Sequence, residues 1–169
     1  AVRETANHIG ADADWVALTN GLDEGLLLTA IAYLMPRAPE GLVALGALPV
    51  APSGQAEQIL VLPTFEPYLI NARALGARTV ALPSDADFAF PLANVLAANS
   101  PNTRLIFINT PHNPSGRPVS AADIRAVIAA APHAVVFIDE AYHDFQGVHY
   151  LALTREFPNV IVGRTFSKA

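Results

Sequence analysis

The chain has 169 residues, of which 52% are hydrophobic and 15% charged, and its formal net charge is −5. This length fits one domain with a substantial core, and the composition excludes a disordered chain. The absence of cysteine excludes disulfides, thiolate metal sites and a cysteine nucleophile, and the acidic balance disfavours nucleic acid as a partner.

Hydrophobic segments are short and interrupted. A membrane span requires roughly 18 unbroken apolar residues, and the apolar stretch from Leu42 to Val50 is broken by Gly46 and Pro49. The first residues lack the basic region and apolar core of a signal peptide. We therefore expect a cytoplasmic protein with no membrane partner.

Helical and strand patterns alternate along the chain. Residues 23–35 predict a helix, because acidic residues open it and apolar residues follow at helical spacing before Pro36. Residues 36–57 are rich in proline, glycine and alanine, which predicts a long surface excursion or an insertion. Short apolar runs then predict strands at 59–62, 78–82, 105–108, 134–138 and 160–163, with helices at 66–75, 91–98 and 120–130.

The predicted strands are almost entirely apolar. Strands of this kind, alternating with helices, are typical of a parallel sheet that is covered on both faces. We therefore predict an α/β fold of three layers, with an open, mostly parallel sheet and helices on both of its faces. We find no internal repeat and no second domain in these residues.

Polar residues follow three of the predicted strands, in the segments 109–116, 139–142 and 164–168. In an open parallel sheet, ligands bind beyond the carboxyl ends of the strands. The three segments should therefore meet at one edge and bring an amide, a carboxylate, a phenol, hydroxyls and an amine together.

These segments resemble the signatures of fold-type I aminotransferases, which use pyridoxal 5'-phosphate (PLP). The segment Asn113–Gly116 is similar to their Asn-Pro-(Ser/Thr)-Gly, Asp139–Tyr142 to their Asp-x-x-Tyr, and Ser167-Lys168 to their Ser-Lys. The order and approximate spacing also match, from about residue 19 to residue 169. The resemblance is nearest to the class I/II group that includes histidinol-phosphate aminotransferase.

The resemblance implies a chemical role for four side chains. Lys168 would hold the PLP aldehyde as a Schiff base and later move the proton of the substrate Cα. Asp139 would face the pyridine nitrogen and keep it protonated. Asn113 and Tyr142 would donate hydrogen bonds to the phenolate oxygen of the cofactor.

The resemblance also implies a phosphate site at the start of the first predicted helix, where backbone amides point outward. The residues implied are Gly21, Leu22, Asp23, Thr165 and Ser167. An ordinary helix start with acidic residues explains the same pattern. Phe65 is similar to the aromatic residue that stacks on the cofactor ring, although core packing also accounts for it.

Two further residues are weaker candidates. Tyr68 would face the site or a partner subunit, and His112 either touches the site or is a loop residue. The five histidines form no pair with metal-ligand spacing, so we predict no metal.

As a whole, the resemblance implies a transaminase that moves an amino group between an amino acid or amino-alcohol phosphate and a 2-oxo acid. A PLP-dependent decarboxylase or synthase on the same fold, or a non-catalytic PLP-binding regulatory domain, stays open. A nicotinamide-binding domain is disfavoured, because no Gly-x-Gly-x-x-Gly turn follows a predicted strand.

The resemblance bears on domain organisation and assembly as well. Residues 1–169 correspond to part of the PLP-binding large domain, and the small C-terminal domain of the family lies outside them. The family's further phosphate-binding cation and the arginine that grips the substrate carboxylate are likewise outside. The family implies a homodimer in which each site is completed by the neighbour.

Overall fold

Five strands form the centre of the fold in the computed structural model, which describes residues 1–36 and 55–168. The strands are Glu57–Leu62 (β1), Arg78–Pro83 (β2), Thr103–Asn109 (β3), Val135–Asp139 (β4) and Val160–Gly163 (β5). All four neighbouring pairs are parallel, and the order across the sheet is β2-β1-β3-β4-β5. The carboxyl ends of the strands therefore share one edge.

Helices cover the sheet and connect its strands. They are Val2–Ile9 (α1), Gly21–Leu34 (α2), Pro67–Ala74 (α3), Leu92–Ala98 (α4), Ala121–Ala130 (α5) and Leu153–Glu156 (α6). The helix α5 begins where predicted, because the Ser120 hydroxyl accepts a hydrogen bond of 3.0 Å from the Asp123 amide. Gly76 follows α3 with φ of 70°, a conformation that glycine adopts without strain.

Two hydrophobic clusters lie on opposite faces of the sheet. In β3, Ile106 and Ile108 pack with α4, α5 and α6, whereas Leu105 and Phe107 pack with α2 and α3. This alternation follows from the two-residue period of a strand. Because both faces are buried, the middle of the strand, residues 105–108, is entirely apolar, and the predicted three-layer α/β fold is confirmed.

The predicted strands are confirmed within two residues of their bounds, and the bounds of β5 match those predicted. The prediction of a surface excursion over 36–57 is wrong at its end, because Glu57 is buried in β1. Its carboxylate pairs with Arg78 and accepts a hydrogen bond of 2.7 Å from the Ser100 hydroxyl. The rest of that prediction, at 37–54, lies outside the described residues.

Candidate active site

The ends of three neighbouring strands are aligned residue by residue. Asn109 pairs with Asp139 across β3 and β4, and Asp139 pairs with Gly163 across β4 and β5. The segments that follow these strands are the three polar segments of the sequence. The expected convergence at the carboxyl edge of the sheet is therefore present in the fold.

Asp139 places a carboxylate inside the protein at this edge, with 3% of its surface exposed. The Tyr68 hydroxyl donates to its Oδ2, and the Ala141 amide donates to Oδ1 over 2.9 Å. Within 1–36 and 55–168, no lysine, arginine or histidine forms an ion pair with it. A buried carboxylate without a cation is costly unless a ligand supplies the positive charge.

The pKa of Asp139 reflects this environment. Burial raises the pKa above its ordinary value, while the hydrogen bonds from Tyr68 and from the Ala141 amide lower it in part. The charges of Asp23 and Glu140 raise it further. Asp23 belongs to the first turn of α2.

The ring of Tyr68 is buried beneath the same edge. It stacks on Phe107 with centroids 4.4 Å apart and contacts Phe65 edge-on at 5.9 Å. Burial and the charge of Asp139 hold the pKa of Tyr68 well above its usual range, so the phenol stays a donor. Tyr68 was expected to face either the site or a partner subunit, and in the structure it faces Asp139 at the candidate site. Phe65 is half-buried and contacts the Tyr68 ring.

Lys168 approaches the site from the segment after β5. Its Nζ lies 5.7 Å from the centre of the Tyr142 ring, and its side chain is exposed. Throughout the described part of the chain, no hydrogen bond or ion pair engages the Lys168 ammonium, the Tyr142 hydroxyl or the Asn113 carboxamide. These three donors are therefore uncommitted, and Lys168 is the sole lysine in the sequence.

The start of α2 offers amides to an anion. Glu24 reaches back to the Asn20 amide over 2.5 Å, and no side chain at Asn20 caps the first turn. The amides of Leu22 and Asp23 belong to the first turn, where a helix provides no acceptors of its own. Gly21 has φ of 74°, which favours glycine at the entry to this turn.

Gly163 allows α2 to approach the sheet closely. A Cβ atom at this position would lie 2.6 Å from the Leu22 Cδ1 atom and 2.6 Å from the Phe137 Cζ atom. Real Cβ contacts are longer, so any side chain here would push the helix start or the ring away. Because Gly163 has no side chain, the first turn of α2 can lie close to the carboxyl edge of the sheet.

Thr165 and Ser167 lie between β5 and Lys168, as the phosphate prediction requires. Their hydroxyls are 2.9 Å apart, and the Ser167 amide donates to the Thr165 hydroxyl over 3.2 Å. Each hydroxyl keeps lone pairs and a rotatable proton. The pair therefore keeps hydrogen-bonding capacity for a ligand.

A buried ion pair joins two of the three segments. Glu140 is fully buried, and its Oε2 accepts a hydrogen bond of 2.7 Å from the Arg164 Nε atom, while its Oε1 accepts from the Tyr150 amide. Sequence reasoning did not identify this pair. The available signal was a pair of opposite charges just after two neighbouring parallel strands.

A depression lies beside the site. It is lined by Thr64, Tyr68, Asn109 and His112 among others, but not by Asp139, Tyr142 or Lys168. Residues 1–36 and 55–168 contain no group of three or more His, Cys, Asp or Glu side chains suited to a metal. In the same residues, no helix has the length and apolar character needed to cross a bilayer.

The three strand-end segments also match a known protein family. The sequence profile of aminotransferase class I and II matches residues 45–169, which is most of the chain. The chain belongs to the class I and II aminotransferases. The match includes all three strand-end segments of the site.

Relatives of this aminotransferase family agree in sequence and in fold. A histidinol-phosphate aminotransferase from Methanococcoides burtonii is 45% identical over 113 residues, which cover 67% of this chain and 31% of that protein. An aromatic amino acid aminotransferase from Rhodococcus opacus is 42% identical over 109 residues, covering 63% of this chain and 30% of that protein. The chain thus spans about a third of these relatives.

The solved structure of the histidinol-phosphate aminotransferase from Clostridium acetobutylicum has the same fold. The TM-score is 0.79 over 98% of this chain and 44% of that one, at 18% identity. At this identity the likeness concerns the fold alone. The aminotransferase fold and the family assignment are therefore established independently of the proposed roles of individual side chains.

Proposed function

We propose that the protein is a PLP-dependent aminotransferase that moves an amino group between an amino acid, or amino-alcohol phosphate, and a 2-oxo acid. The observation that carries the proposal is the buried Asp139 carboxylate, which lacks a cation, at the edge where Asn113, Tyr142 and Lys168 keep uncommitted donors. When bound, PLP supplies an aldehyde that combines with amines and a ring that withdraws electrons from the substrate Cα.

The polar residues of the site fit such a group. Asp139 would keep the ring nitrogen protonated. The protonated nitrogen would in turn be the cation that the buried carboxylate lacks in the chain alone. Asn113 and Tyr142 would donate hydrogen bonds to the phenolate oxygen. Lys168 would bind the aldehyde, and its freed Nζ would then take and return the Cα proton.

The phosphate would lie at the start of α2. The amides of Leu22 and Asp23 would donate to it, Gly21 would allow the backbone to approach, and the hydroxyls of Thr165 and Ser167 would complete the ring of donors. The Asp23 side chain would point away from the phosphate. Phe65 would stack on one face of the cofactor ring.

Covalent binding can be tested on the whole protein. We expect an absorption band after PLP is added, and a permanent label on Lys168 after borohydride treatment and peptide mass spectrometry. Lys168→Ala should lose the label, and Lys168→Arg serves as the matched control that keeps the charge. A label elsewhere, or no label on the unaltered protein, would contradict the proposal.

The substrate class needs a separate measurement. The relatives include enzymes described as histidinol-phosphate and as aromatic amino acid aminotransferases, so both classes are substrates to test. Transfer of the amino group to 2-oxoglutarate distinguishes transamination from decarboxylation, which releases carbon dioxide. A labelled protein that performs neither reaction would indicate the non-catalytic binding domain.

We also propose that residues 1–169 are part of a PLP-binding large domain and that the whole protein is a cytoplasmic homodimer. Apolar side chains on the outer face of α2 support association, since Leu28 and Ile31 are 51% and 39% exposed. Light scattering should give twice the mass of one chain. The monomer mass at micromolar concentration would contradict the dimer.

A further inference from the structure

The imidazole of His112 connects two loops of the site. Its Nε2 lies 2.8 Å from the carbonyl oxygen of Pro63, and its Nδ1 lies 2.7 Å from the Ser115 hydroxyl. Pro63 belongs to the loop after β1, which carries Phe65. Ser115 belongs to the loop after β3, which carries Asn113. The ring is buried, so water does not compete for either contact.

These contacts fix the position of the imidazole proton. A carbonyl oxygen only accepts, so Nε2 must carry the proton and donate it to Pro63. In the neutral ring, Nδ1 then accepts from the Ser115 hydroxyl, whose oxygen accepts from the Arg117 amide over 3.3 Å. Every donor in this series has an acceptor, whereas the opposite tautomer would set a lone pair against the carbonyl oxygen.

The loop after β3 is closed by its own backbone hydrogen bonds. The His112 amide donates to the Arg117 carbonyl over 2.7 Å, and the Gly116 amide donates to the His112 carbonyl over 2.6 Å. The loop after β1 is held to α3, because the Tyr68 amide donates to the Phe65 carbonyl over 3.3 Å. In the described residues, the His112 contact is the sole hydrogen bond between 63–65 and 109–117. The imidazole is thus the polar connection between the two loops.

We propose that His112, as the neutral Nε2–H tautomer, is a positioning residue that sets the separation between the Phe65 ring and the Asn113 carboxamide. Its consequence for PLP rests on the proposed function, but the connection between the loops does not. His112 acts through its two neighbours in this account and has no reacting atom of its own.

A pair of substitutions separates this role from simple packing. The side-chain amide introduced by His112→Gln reaches about as far as Nε2 and can still donate to the Pro63 carbonyl. The shorter amide introduced by His112→Asn reaches only the Nδ1 position, so it keeps the Ser115 contact and loses the Pro63 contact. Ser115→Ala removes the other contact alone and keeps the imidazole.

The tautomer is tested first, on the whole protein without PLP. Histidine-selective 15N labelling and two-bond proton–nitrogen NMR spectra should show the Nε2–H pattern for His112, assigned by its loss in His112→Gln. An Nδ1–H pattern would overturn the proposal. This measurement needs no folded variant other than the one used for assignment, and Ser115→Ala can confirm the assignment through a shift of the same signal.

The connection between the loops is tested next by hydrogen exchange and PLP affinity. We expect the amides of 64–66 to exchange faster in His112→Asn than in His112→Gln, with PLP bound about tenfold more weakly by the Asn variant only. Equal effects of the two substitutions, or no effect of either, would overturn the positioning role. Loss of PLP binding by the unaltered protein would instead refute the proposed function, and the exchange result would still decide the connection.

Discussion

The Tyr68 hydroxyl donates a hydrogen bond to the Asp139 carboxylate across 71 positions of sequence, and both groups are buried. Tyr68 lies in the first turn of α3, just beyond β1, and Asp139 is the last residue of β4. The contact therefore spans β3, which lies between these two strands. It gives the carboxylate a fixed orientation at the centre of the proposed site.

Tyr68→Phe should destabilise the protein most at neutral pH. The hydrogen bond lowers the pKa of Asp139, so its loss raises that pKa further and makes the buried charge costlier. A bond to a charged group contributes about 1.5–3 kcal/mol. Because the folded pKa lies above the unfolded one, stability is lost as pH rises between them and regained on acidification.

Thermal unfolding of Tyr68→Phe at pH 7 and pH 5 measures this effect. The difference from the unaltered protein should shrink at the lower pH. Tyr33→Phe is the matched control, because Tyr33 is half-buried on α2 and contributes no hydrogen bond seen in the described residues. A pH-independent loss, equal to that of the control, would show that the hydroxyl does not act on Asp139.

Asp139→Asn should stabilise the protein without PLP and weaken PLP binding. Burial raises the pKa of Asp139, so at neutral pH folding around this carboxyl group carries a free-energy cost that a neutral amide does not incur. Stabilising substitutions commonly add about 0.5–2 kcal/mol to the free energy of unfolding, often with a loss of function. Unfolding measured without PLP tests the gain in stability, and the increase in stability on adding PLP tests the weaker binding. A variant that is less stable than the unaltered protein without PLP would contradict the prediction.

Replacing Arg164 should lower the free energy of unfolding more than replacing Glu140, its partner in the buried ion pair. Arg164→Met leaves the fully buried Glu140 carboxylate unpaired and should cost about 3–5 kcal/mol. Glu140→Gln keeps a side-chain oxygen that can still accept a hydrogen bond from the Arg164 Nε atom, and the Arg164 side chain is not fully buried, so it should cost less. The double substitution should be more stable than Arg164→Met alone, and additive losses in denaturant unfolding would argue against direct coupling.

Gly163→Ala should weaken phosphate binding through α2. The added Cβ atom would overlap Leu22 and Phe137, which should cost about 1–3 kcal/mol and shift the first turn of the helix. Gly25→Ala is the control in the same helix. Its Cβ atom would meet only ordinary contacts at 3.4 Å and 3.9 Å, so it should stabilise by about 0.5–1 kcal/mol. Equal PLP affinities for both variants would exclude this role of Gly163.

Sequence patterns predicted the sheet well because the inner strands β1, β3 and β4 are buried on both faces over most of their length and therefore contain short apolar runs. They did not predict α1, which begins at Val2 without a side-chain cap at Ala1 and buries only Ala6. A tertiary contact helps to hold this helix, since Arg155 donates to the Gly10 carbonyl over 3.0 Å. No local pattern reports such a contact.

The site was predictable where strand ends carry polar residues and less so where partners come from distant elements. Asn113, Asp139 and Lys168 follow strands and could be grouped from the parallel topology alone. The partners Tyr68 and His112 could not, because their roles depend on which strands are neighbours and on side-chain direction. A sheet order of β2-β1-β3-β4-β5 becomes visible only in the fold.

The outer face of α2 affects the solubility of residues 1–169 when they are produced alone. Apolar side chains on that face are exposed to solvent in the single chain, namely Leu27, Leu28 and Ile31. A polypeptide limited to residues 1–169 would aggregate and adsorb to surfaces during purification. Replacing Leu28 with lysine would improve its solubility while leaving the buried face of the helix, and hence the position of its first turn, unchanged.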